Sequence, residues 1–373
     1  MKKNEKGSLI LILCFTVFIV LGLVLHLSLR DREYSADENR YLSQAPEFTF
    51  RRLFSGEFTA DFEDYITDQF PLRDGWLDLK SRFERFCGKT ENNGVFFGKR
   101  DTLLNRFEEP EPAAVADAAA AVKALAENTG VPVYLALIPS ATDVWADRLP
   151  RHANTADQAV LIEAIYESCG VNTVDVRSFL TAHASEEIYY RTDHHWTTLG
   201  AYYGYAATAS AMGLAAQHLS AFTPETVSER FNGTIYSSSG VRWVQPDSIQ
   251  RYVSAEGVKL TRYDTPEGVV SPVYDEAKLE TKDQYSYFLG GNTSRLVVET
   301  GHGGGKLLVI RDSYMDSELP FFFAHYSEIH VLDLRYFRGS VADYASEHGF
   351  DAILVSYSLS DFVTDTSVPL MGY

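Results

Sequence analysis

Residues 113–138 read AAVADAAAAVKALAENTGVPVYLALI, and this stretch decides the fold class. Its first part is rich in alanine, which favours a helix. Gly130 suits the end of that helix, because glycine readily adopts the left-handed backbone of a C-terminal cap. Residues 131–138 form a continuous apolar run, which is typical of a parallel strand covered on both faces. The stretch therefore predicts a helix followed by a buried strand.

The alternation of helix and strand continues to the C-terminus. The helical pattern returns at residues 156–169, with Gly170 after it, and again from Thr197 or Thr198 to about Met212. Apolar or β-branched segments that predict further strands lie at residues 172–176, 306–310, 328–332 and 351–357. Strands that alternate with helices pack as a mostly parallel sheet flanked by helices, so the sequence predicts an α/β fold.

Residues 222–300 interrupt this alternation. They hold short β-like pieces among glycine, serine, asparagine and proline, at residues 249–253, 285–289 and 295–298. This composition predicts a β-rich insertion between two halves of one domain. Upstream, apolar side chains with helical spacing over residues 58–86 are interrupted at Pro71 and predict two helices, while residues 94–104 predict a hairpin.

The N-terminus carries one long apolar segment. Residues 7–29 contain no formally charged side chain, and as a helix residues 9–29 reach about 32 Å, enough to cross a hydrocarbon core of roughly 30 Å. Lys2, Lys3 and Lys6 precede the segment and favour a cytoplasmic N-terminus, which places the rest of the chain outside. A cleaved signal peptide is the alternative, but the segment is long and no clear small-x-small site follows it.

Three regions follow from these patterns. We predict an N-terminal membrane anchor at residues 1–30, a juxtamembrane helical region with a hairpin at residues 31–105, and the α/β domain at residues 106–373. The net charge of −18 argues against a nucleic-acid partner, because phosphates would be repelled.

The sequence has three cysteines, of which Cys14 lies in the apolar segment. Cys87 and Cys169 either pair or remain two isolated thiols, and the sequence leaves both alternatives open. The cysteine spacing is not that of a metal site, and we expect neither a metal nor a cofactor.

The densest polar cluster is DHHW at residues 193–196, between an aromatic strand-like segment and the start of a helix. Junctions of this kind hold reactive side chains in α/β folds. A histidine with a carboxylate nearby is the base half of a nucleophilic site. The same residues are also able to ligate zinc, or to cap a helix and pack in the core, and spacing alone leaves the three interpretations equal.

A second cluster, IRDSY at residues 310–314, follows a predicted strand directly. A serine on the turn that leaves the carboxyl end of a parallel strand is well placed to be a nucleophile, and a helix starting there offers N–H groups to an oxyanion. Capping is the alternative role for Asp312 or Ser313. The GGN turn at residues 290–292 either supplies further donors or is a plain turn.

These motifs resemble a known family. The string at residues 193–196 resembles the signature of the DHHW proteins of Gram-positive bacteria. Three more segments resemble that family, namely DQFPLRD at residues 68–74, FNGTIY at residues 231–236, and DSY at residues 312–314 followed by Pro320-Phe321. The family is similar to the SGNH-hydrolase-like domains of the alginate O-acetylation proteins AlgJ and AlgX. There, Asp-x-His-Trp and Gly-Asp-Ser motifs act in acetyl transfer to a polysaccharide hydroxyl.

The resemblance implies roles for individual residues. Asp193 corresponds to the orienting carboxylate, His195 to the general base and Ser313 to the nucleophile. Further candidates for contact with substrate or with an oxyanion are His194, Arg311, Tyr314 and Asn292. Arg311 stands where the related motif has glycine, and Asp316 stands where asparagine is expected, so the resemblance leaves the oxyanion hole undefined.

Together with the apolar N-terminal segment, the resemblance implies a membrane-anchored, extracytoplasmic O-acyltransferase of the acetyl type that modifies a cell-envelope polysaccharide through a Ser-His-Asp triad. One alternative is an esterase or deacetylase that uses the same triad, and another is a non-catalytic envelope protein that binds glycans. The resemblance also implies a membrane-bound O-acyltransferase as the partner that supplies the acyl group.

Overall fold

The computed structural model describes residues 3–373, with side chains from residue 7 onward, and the chain divides into two compact units. The first unit runs to Lys89 and includes Gly240–Arg242. The second comprises Thr90–Ser239 and Trp243–Tyr373, so the predicted hairpin groups with the α/β part of the chain.

The first unit is mostly helical. Its elements are the helices α1 (Lys3–Ser28), α2 (Phe50–Ser55), α3 (Glu57–Asp68) and α4 (Arg73–Phe86) and the antiparallel strands β1 (Tyr34–Ser35) and β2 (Arg40–Tyr41). The two helices predicted on either side of Pro71 are confirmed. Residues Gly7–Ser28 have a mean hydropathy of 3.1, and this stretch of α1 is long and apolar enough to cross a membrane. Lys2 lies outside the described residues, and the orientation expected from the N-terminal lysines stays a prediction.

The second unit holds the remaining strands. They are β3 (Glu91–Asn92), β4 (Val95–Phe97), β5 (Leu103–Asn105), β6 (Val133–Ile138), β7 (Asn172–Val174), β8 (Glu225–Phe231), β9 (Asp247–Arg251), β10 (Lys259–Arg262), β11 (Val269–Ser271), β12 (Arg295–Glu299), β13 (Lys306–Arg311), β14 (Glu328–Leu332) and β15 (Ala352–Ser358). The predicted hairpin at residues 94–104 is confirmed, because β4 and β5 pair antiparallel.

The α-helices of the second unit are α5 (Pro112–Thr129), α6 (Ala141–Val144), α7 (Gln158–Cys169), α8 (Val176–Ala182), α9 (Thr198–Ala211), α10 (Thr234–Ser239), α11 (Met315–Glu318), α12 (Val341–His348) and α13 (Leu359–Thr364). Gly130 ends α5 with a φ of 65°, as predicted from the helix-ending glycine. Short 3-10 helices lie at Ala146–Arg148, Leu219–Ala221, Glu276–Glu280, Gln284–Tyr287, Leu319–Ala324 and Val368–Gly372.

Eight strands form the main sheet in the order β11-β10-β12-β14-β13-β15-β6-β7. The five strands from β14 to β7 are parallel, and β12, β10 and β11 continue the sheet antiparallel at its other edge. Residues 222–300 hold β8 to β12, as expected for a β-rich insertion. Its last three strands extend the main sheet, because unpaired edge N–H and C=O groups of β14 accept β12 as a partner.

Helices cover both faces of the sheet. On β13, Leu307 and Val309 pack in the core cluster that contains residues of α8 and α9. Leu308 and Ile310 pack in the cluster that contains residues of α5, α7 and α12. Alternate side chains of a strand point to opposite faces, so each face of the sheet has its own core. The predicted α/β class is confirmed.

Two local expectations differ from the structure. The strand predicted at residues 285–289 is wrong, because Gln284–Tyr287 form a 3-10 helix, after which the N–H of Phe288 donates to the carbonyl of Tyr285. The strand predicted to reach residue 176 ends at Val174, because the Asp175 carboxylate accepts the Ser178 N–H at 3.1 Å and starts α8.

Cys87 is exposed, Cys169 is buried and both are free thiols, so these two cysteines do not pair.

Glu318 makes the stability of the fold depend on pH. Its side chain is buried beside Thr208, whose Oγ1 lies 3.5 Å from the carboxylate, and burial raises the pKa of Glu318 from 4.5 to about 8. The carboxyl is therefore protonated in the folded chain at pH 7. Its contribution to stability is full below pH 4.5 and is lost as the pH rises through 8.

Glu318→Gln tests this dependence, because the amide cannot ionise. We expect the variant to gain stability relative to the native chain between pH 5 and pH 9, by on the order of a few kcal/mol. Thermal unfolding of both proteins at pH 5, 7 and 9 measures the gain. A difference in Tm that stays constant with pH contradicts the prediction.

Candidate active site

The turn after β13 presents Ser313. Asp312 fixes this turn with both carboxylate oxygens, because Oδ1 accepts the N–H of Tyr314 at 3.0 Å and Oδ2 accepts the N–H of Ser358 at 2.6 Å. Ser358 ends β15, the parallel neighbour of β13, so the carboxyl ends of two strands are tied together. Burial raises the pKa of Asp312 to about 7, with the Asp361 carboxyl adding to the shift. Ser313 is partly exposed at the edge of the sheet.

The DHHW segment forms a narrow loop before α9. Tyr189 and Trp196 pair across its base, and the N–H of Tyr190 donates to the carbonyl of His195 at 3.1 Å. Buried Asp247 holds the loop from the side, since its Oδ2 accepts the N–H of Thr192 at 2.8 Å and the hydroxyl of Thr192 at 2.6 Å. Backbone hydrogen bonds and the Asp247 carboxylate therefore fix the loop independently of its histidine side chains.

The loop and the turn bring Asp193, His195 and Ser313 into one hydrogen-bonded row. The His195 Nε2 atom lies 2.8 Å from Ser313 Oγ, and the His195 Nδ1 atom lies 2.5 Å from Asp193 Oδ1. The other carboxylate oxygen of Asp193 accepts the N–H of Thr234 at 2.7 Å and its hydroxyl at 3.0 Å. With the proton on Nδ1 facing the carboxylate, Nε2 is left as the acceptor for the Ser313 hydroxyl.

Aromatic rings keep the His195 imidazole in this plane. The Tyr285 ring stacks on it with centroids 3.8 Å apart and an interplanar angle of 11°. Tyr285 is itself held by a 3.0 Å hydrogen bond between its hydroxyl and Ser317 Oγ. The Trp196 indole N–H donates to the carbonyl of Tyr314 at 2.9 Å, which ties the loop to the serine turn.

The charges of the row follow from burial and from these contacts. Burial alone would raise the pKa of Asp193, but the adjacent His194 and His195 and the Thr234 N–H hold it well below its usual range. Burial, together with the neighbouring His194, lowers the pKa of His195 to about 4, against the opposing effect of Asp193. At neutral pH the site therefore holds an ionised carboxylate and a neutral imidazole, which is the state of a general base.

This charge state predicts a pH profile. Because His195 must be neutral to accept the serine proton, we expect kcat/KM for an acetyl ester to stay flat from pH 8 down to about pH 5, and to fall only near the pKa of about 4. Initial rates in buffers of constant ionic strength measure the profile. An inflection near pH 6.5, the ordinary value for histidine, contradicts it.

The other candidates are placed around this row in different ways. His194 is partly exposed, and its Nδ1 atom lies 2.7 Å from Thr234 Oγ1. The Tyr314 hydroxyl donates to the carbonyl of His194. Both side chains line a cavity of about 260 Å³ next to the serine turn, whose other lining residues are Asn105, Arg106, Phe107, Ile138, Ser140, Ala141, Thr142, Ile235, Ser358, Ser360 and Asp361.

Arg311 and Asn292 belong to a neighbouring ionic cluster. The Arg311 guanidinium is 1% exposed, with Nη2 at 3.0 Å from Asp316 Oδ1 and Nη1 at 3.6 Å from Asp333 Oδ2. Asn292 is exposed, and its side-chain oxygen accepts from the guanidinium groups of Arg311 at 3.5 Å and Arg335 at 3.4 Å. The Arg311 side chain, which stands where the related motif has glycine, is thus held in buried ion pairs.

A donor for an oxyanion is present at the serine itself. The Ser313 N–H has no hydrogen-bond acceptor among residues 3–373, whereas the following Tyr314 N–H is used by Asp312. An unpaired backbone N–H beside the Ser313 hydroxyl is suited to stabilise a developing negative charge.

Three contacts of the site were not identified from the sequence as functional. Thr234 and Gly233 lie in the FNGTIY segment that carries part of the family resemblance, so a signal for them existed. Tyr285 has no local signal, because it approaches His195 only through the path of the chain before β12. The Asp193, His194 and His195 ligand atoms lie within 4.8 Å of one another, but the ring nitrogens of His195 face Ser313 and Asp193.

Gly233→Ala tests how tightly Asp193 is held. A Cβ atom at position 233 would lie 2.2 Å from the Cβ and Oδ2 atoms of Asp193, so the carboxylate has to move away from His195. We expect kcat for an acetyl ester to fall by roughly 10²-fold. Gly304→Ala is the matched control, because a Cβ there meets no atom within 4 Å. Equal activity of the two variants contradicts the prediction.

Comparisons with known proteins place this geometry in context. A sequence model of the family described as "DHHW protein" matches residues 109–332. No curated protein sequence matches the chain. Among solved structures, the chain is similar to a DHHW family protein from Eubacterium siraeum DSM 15702, with 26% identity and a TM-score of 0.64, over 75% of this chain and 95% of that chain.

Two further solved structures are similar at lower identity. Bacillus cereus PatB1, solved with a sulfonyl adduct, has 18% identity and a TM-score of 0.61, over 73% of this chain and 97% of that chain. The O-acetyltransferase domain of Pseudomonas putida AlgJ has 13% identity and a TM-score of 0.45, over 73% of this chain and 93% of that chain. The likeness to PatB1 supports the fold.

Proposed function

The chain belongs to the DHHW family, and from this membership and the geometry of its site we propose that it is an extracytoplasmic O-acyltransferase. The acyl group is acetyl and the acceptor is a hydroxyl of a cell-envelope polysaccharide. The observation that carries the proposal is the continuous row from Asp193 through His195 to Ser313. A buried carboxylate, a neutral imidazole and a partly exposed serine are the parts of a nucleophilic acyl-transfer site.

The first half of the reaction forms an acyl-enzyme. Ser313 Oγ attacks the carbonyl carbon of the donor while His195 Nε2 takes the hydroxyl proton. The Ser313 N–H donates to the oxyanion of the tetrahedral intermediate. When the intermediate collapses, the bond to the donor's leaving group breaks, and His195 returns the proton to that group.

The second half moves the acyl group to the acceptor. His195 Nε2 takes a proton from a sugar hydroxyl, whose oxygen attacks the acyl carbon bound to Ser313. Collapse of the second intermediate breaks the ester to Ser313 Oγ, and His195 gives the proton back to the serine. Asp193 stays ionised throughout, holds the Nδ1 proton and stabilises the imidazolium in both halves.

The cavity beside the serine turn supports a sugar as acceptor. Its lining residues include the hydroxyl-bearing Ser140 and Ser360 and the aromatic Phe107. Hydroxyls hydrogen-bond to sugar oxygens, and aromatic rings pack against the apolar faces of sugars. The Asp361 carboxylate in the same wall is an acceptor for a further sugar hydroxyl.

The location follows from the N-terminal helix. A retained anchor keeps the catalytic unit on the outer side of the cell membrane, near the polymers of the envelope. It also keeps the unit near a membrane-bound O-acyltransferase that supplies the acyl group. This partner rests on the family resemblance.

A serine-directed probe tests the proposal. We expect a sulfonyl fluoride or a phosphonate ester to label the native chain once and to leave Ser313→Ala unlabelled, as measured by intact-protein mass spectrometry. Ser360→Ala is the control, since its hydroxyl lines the cavity but lies outside the row. Equal labelling of the native chain and Ser313→Ala, or no labelling of either, sinks the proposal and favours a glycan-binding role.

Product analysis separates transfer from hydrolysis. With a chromogenic acetyl ester as donor, an acyltransferase releases the chromophore faster when a glycan acceptor is added, and the glycan gains an acetyl group. Release of acetate at the same rate with and without the glycan identifies an esterase that uses the same triad.

A further inference from the structure

Helix α4 carries an exposed apolar stripe. Four side chains at spacings of three and four residues line one face of the helix, and their exposed fractions are Trp76 44%, Leu79 56%, Phe83 65% and Phe86 87%. Leu72, also exposed, directly precedes the helix. On the opposite face Ser81 is buried with 3% exposure. A helix of a water-soluble domain turns its apolar face inward, and α4 has the reverse arrangement. The stripe therefore requires an apolar partner outside the unit.

The stripe is continuous with the apolar N-terminal helix. The Trp76 ring meets the Phe18 ring of α1 edge-on, with centroids 6.2 Å apart. Phe18 lies inside the stretch Gly7–Ser28 that is able to span a membrane. The start of α4 is fastened at the outer end of that stretch, where Arg32 Nη1 donates to Asp74 at 2.7 Å. If lipid surrounds α1 at Phe18, the same lipid therefore also contacts the stripe at Trp76.

The residues that border the stripe suit a membrane surface. At 100° per residue, Lys80 and Arg82 lie on opposite flanks of the stripe, and both side chains are more than half exposed. Long cationic side chains beside an apolar face reach up to lipid headgroups while their stems lie along the acyl boundary. Each also has an acidic neighbour one turn away, Glu84 for Lys80 and Asp78 for Arg82, and such pairs support the helix itself.

A second copy of the chain fits the stripe less well. The spacing matches a coiled-coil seam, but α4 has only 14 residues, whereas such seams need three to four heptads. Tryptophan and phenylalanine occupy seam positions that favour branched aliphatic residues in coiled coils. Tryptophan and phenylalanine are common on the buried face of helices that lie in the membrane interface.

We propose that α4 is an interfacial helix that lies in the outer surface of the same lipid bilayer that α1 spans, with the stripe from Trp76 to Phe86 in contact with lipid. The first unit is then held at the membrane by two elements, a spanning helix and an amphipathic one. The proposal is independent of the chemistry at Ser313.

Site-specific labelling of the full-length chain tests this placement. In a Cys14→Ser, Cys87→Ser background that keeps only the buried Cys169, one cysteine at a time is introduced by Phe83→Cys, on the stripe, or Arg85→Cys, on the polar side, and receives the same environment-sensitive fluorophore. The chain is reconstituted in vesicles of phosphatidylcholine and phosphatidylglycerol at three to one. A nitroxide on the lipid acyl chain and aqueous iodide serve as the two quenchers.

We expect lipid nitroxide to quench the label at position 83 several-fold more than the label at position 85, with the reverse order for iodide. A third label at Ile19→Cys in α1 is expected to respond to lipid nitroxide only. Equal quenching at positions 83 and 85 overturns the proposal, as does a label at Ile19 that iodide reaches. Protection of position 83 from both quenchers, with or without disulfide-linked dimers of Phe83→Cys, also overturns it and points to a protein partner. Serine-probe labelling of each variant reports separately on the catalytic unit.

Discussion

Replacing Ser313 with alanine is expected to lower the rate of acyl transfer by at least about three orders of magnitude, because the chain then lacks the atom that carries the acyl group. The Ser313 side chain makes its hydrogen bond to His195 Nε2 at 2.8 Å. Asp312, which fixes the turn, is unchanged in the variant. The loss should therefore appear in kcat, with little change in Tm.

Steady-state kinetics with an acetyl ester and thermal unfolding measure the two quantities side by side. Ser360→Ala is the matched control, and we expect its kcat to stay within about tenfold of the native value, since it can contribute only substrate contacts. A Ser313→Ala variant that retains more than about a tenth of the native kcat contradicts the assignment of the nucleophile.

Asp193→Asn is expected to have the second-largest effect, a loss of about three to four orders of magnitude in kcat. In the native chain Asp193 Oδ2 accepts two hydrogen bonds from Thr234. The asparagine carbonyl oxygen takes over that position, so its NH₂ group faces His195 Nδ1. The imidazole must then carry its proton on Nε2, where it can no longer accept the Ser313 proton.

Asp247→Asn is a control for the loss of a buried carboxylate in the same loop. Asp247 binds Thr192 and Arg191 but does not touch His195, and an asparagine oxygen can still accept one of those donors. We expect its kcat to fall by less than about tenfold. Similar losses in both variants would mean that the loop, and not the tautomer of His195, limits the reaction.

Much of the fold can be predicted from the sequence. The apolar run at residues 131–138 and the alternation that follows it are local patterns, and β6, β13, β14 and β15 lie within a residue or two of their predicted positions. The 3-10 helix at Gln284–Tyr287 was missed because its aromatic residues have strand propensity, while their burial depends on the rest of the chain. The addition of β10 to β12 to the main sheet also depends on partners far away in sequence.

The candidate site divides in the same way. The DHHW string and the serine after a buried strand are visible in the sequence, and the family resemblance selects Asp193, His195 and Ser313 among their neighbours. Residue spacing alone does not distinguish catalysis, metal binding and core packing as roles for the DHHW string. No local pattern predicts that His195 and Ser313, 118 residues apart, lie within 2.8 Å of each other.

The sequence by itself determined the apolar N-terminal helix and the α/β class, because both follow from local composition and periodicity. The choice of Asp193, His195 and Ser313 as candidate site residues came from the family resemblance. Tertiary structure alone decided that Thr234 and Tyr285 hold the aspartate and the histidine in place. It also decided that Arg311 turns into buried ion pairs and that the apolar face of α4 points outward. These outcomes depend on which distant segments pack together, and the free energy of burial that selects those partners belongs to the folded chain as a whole.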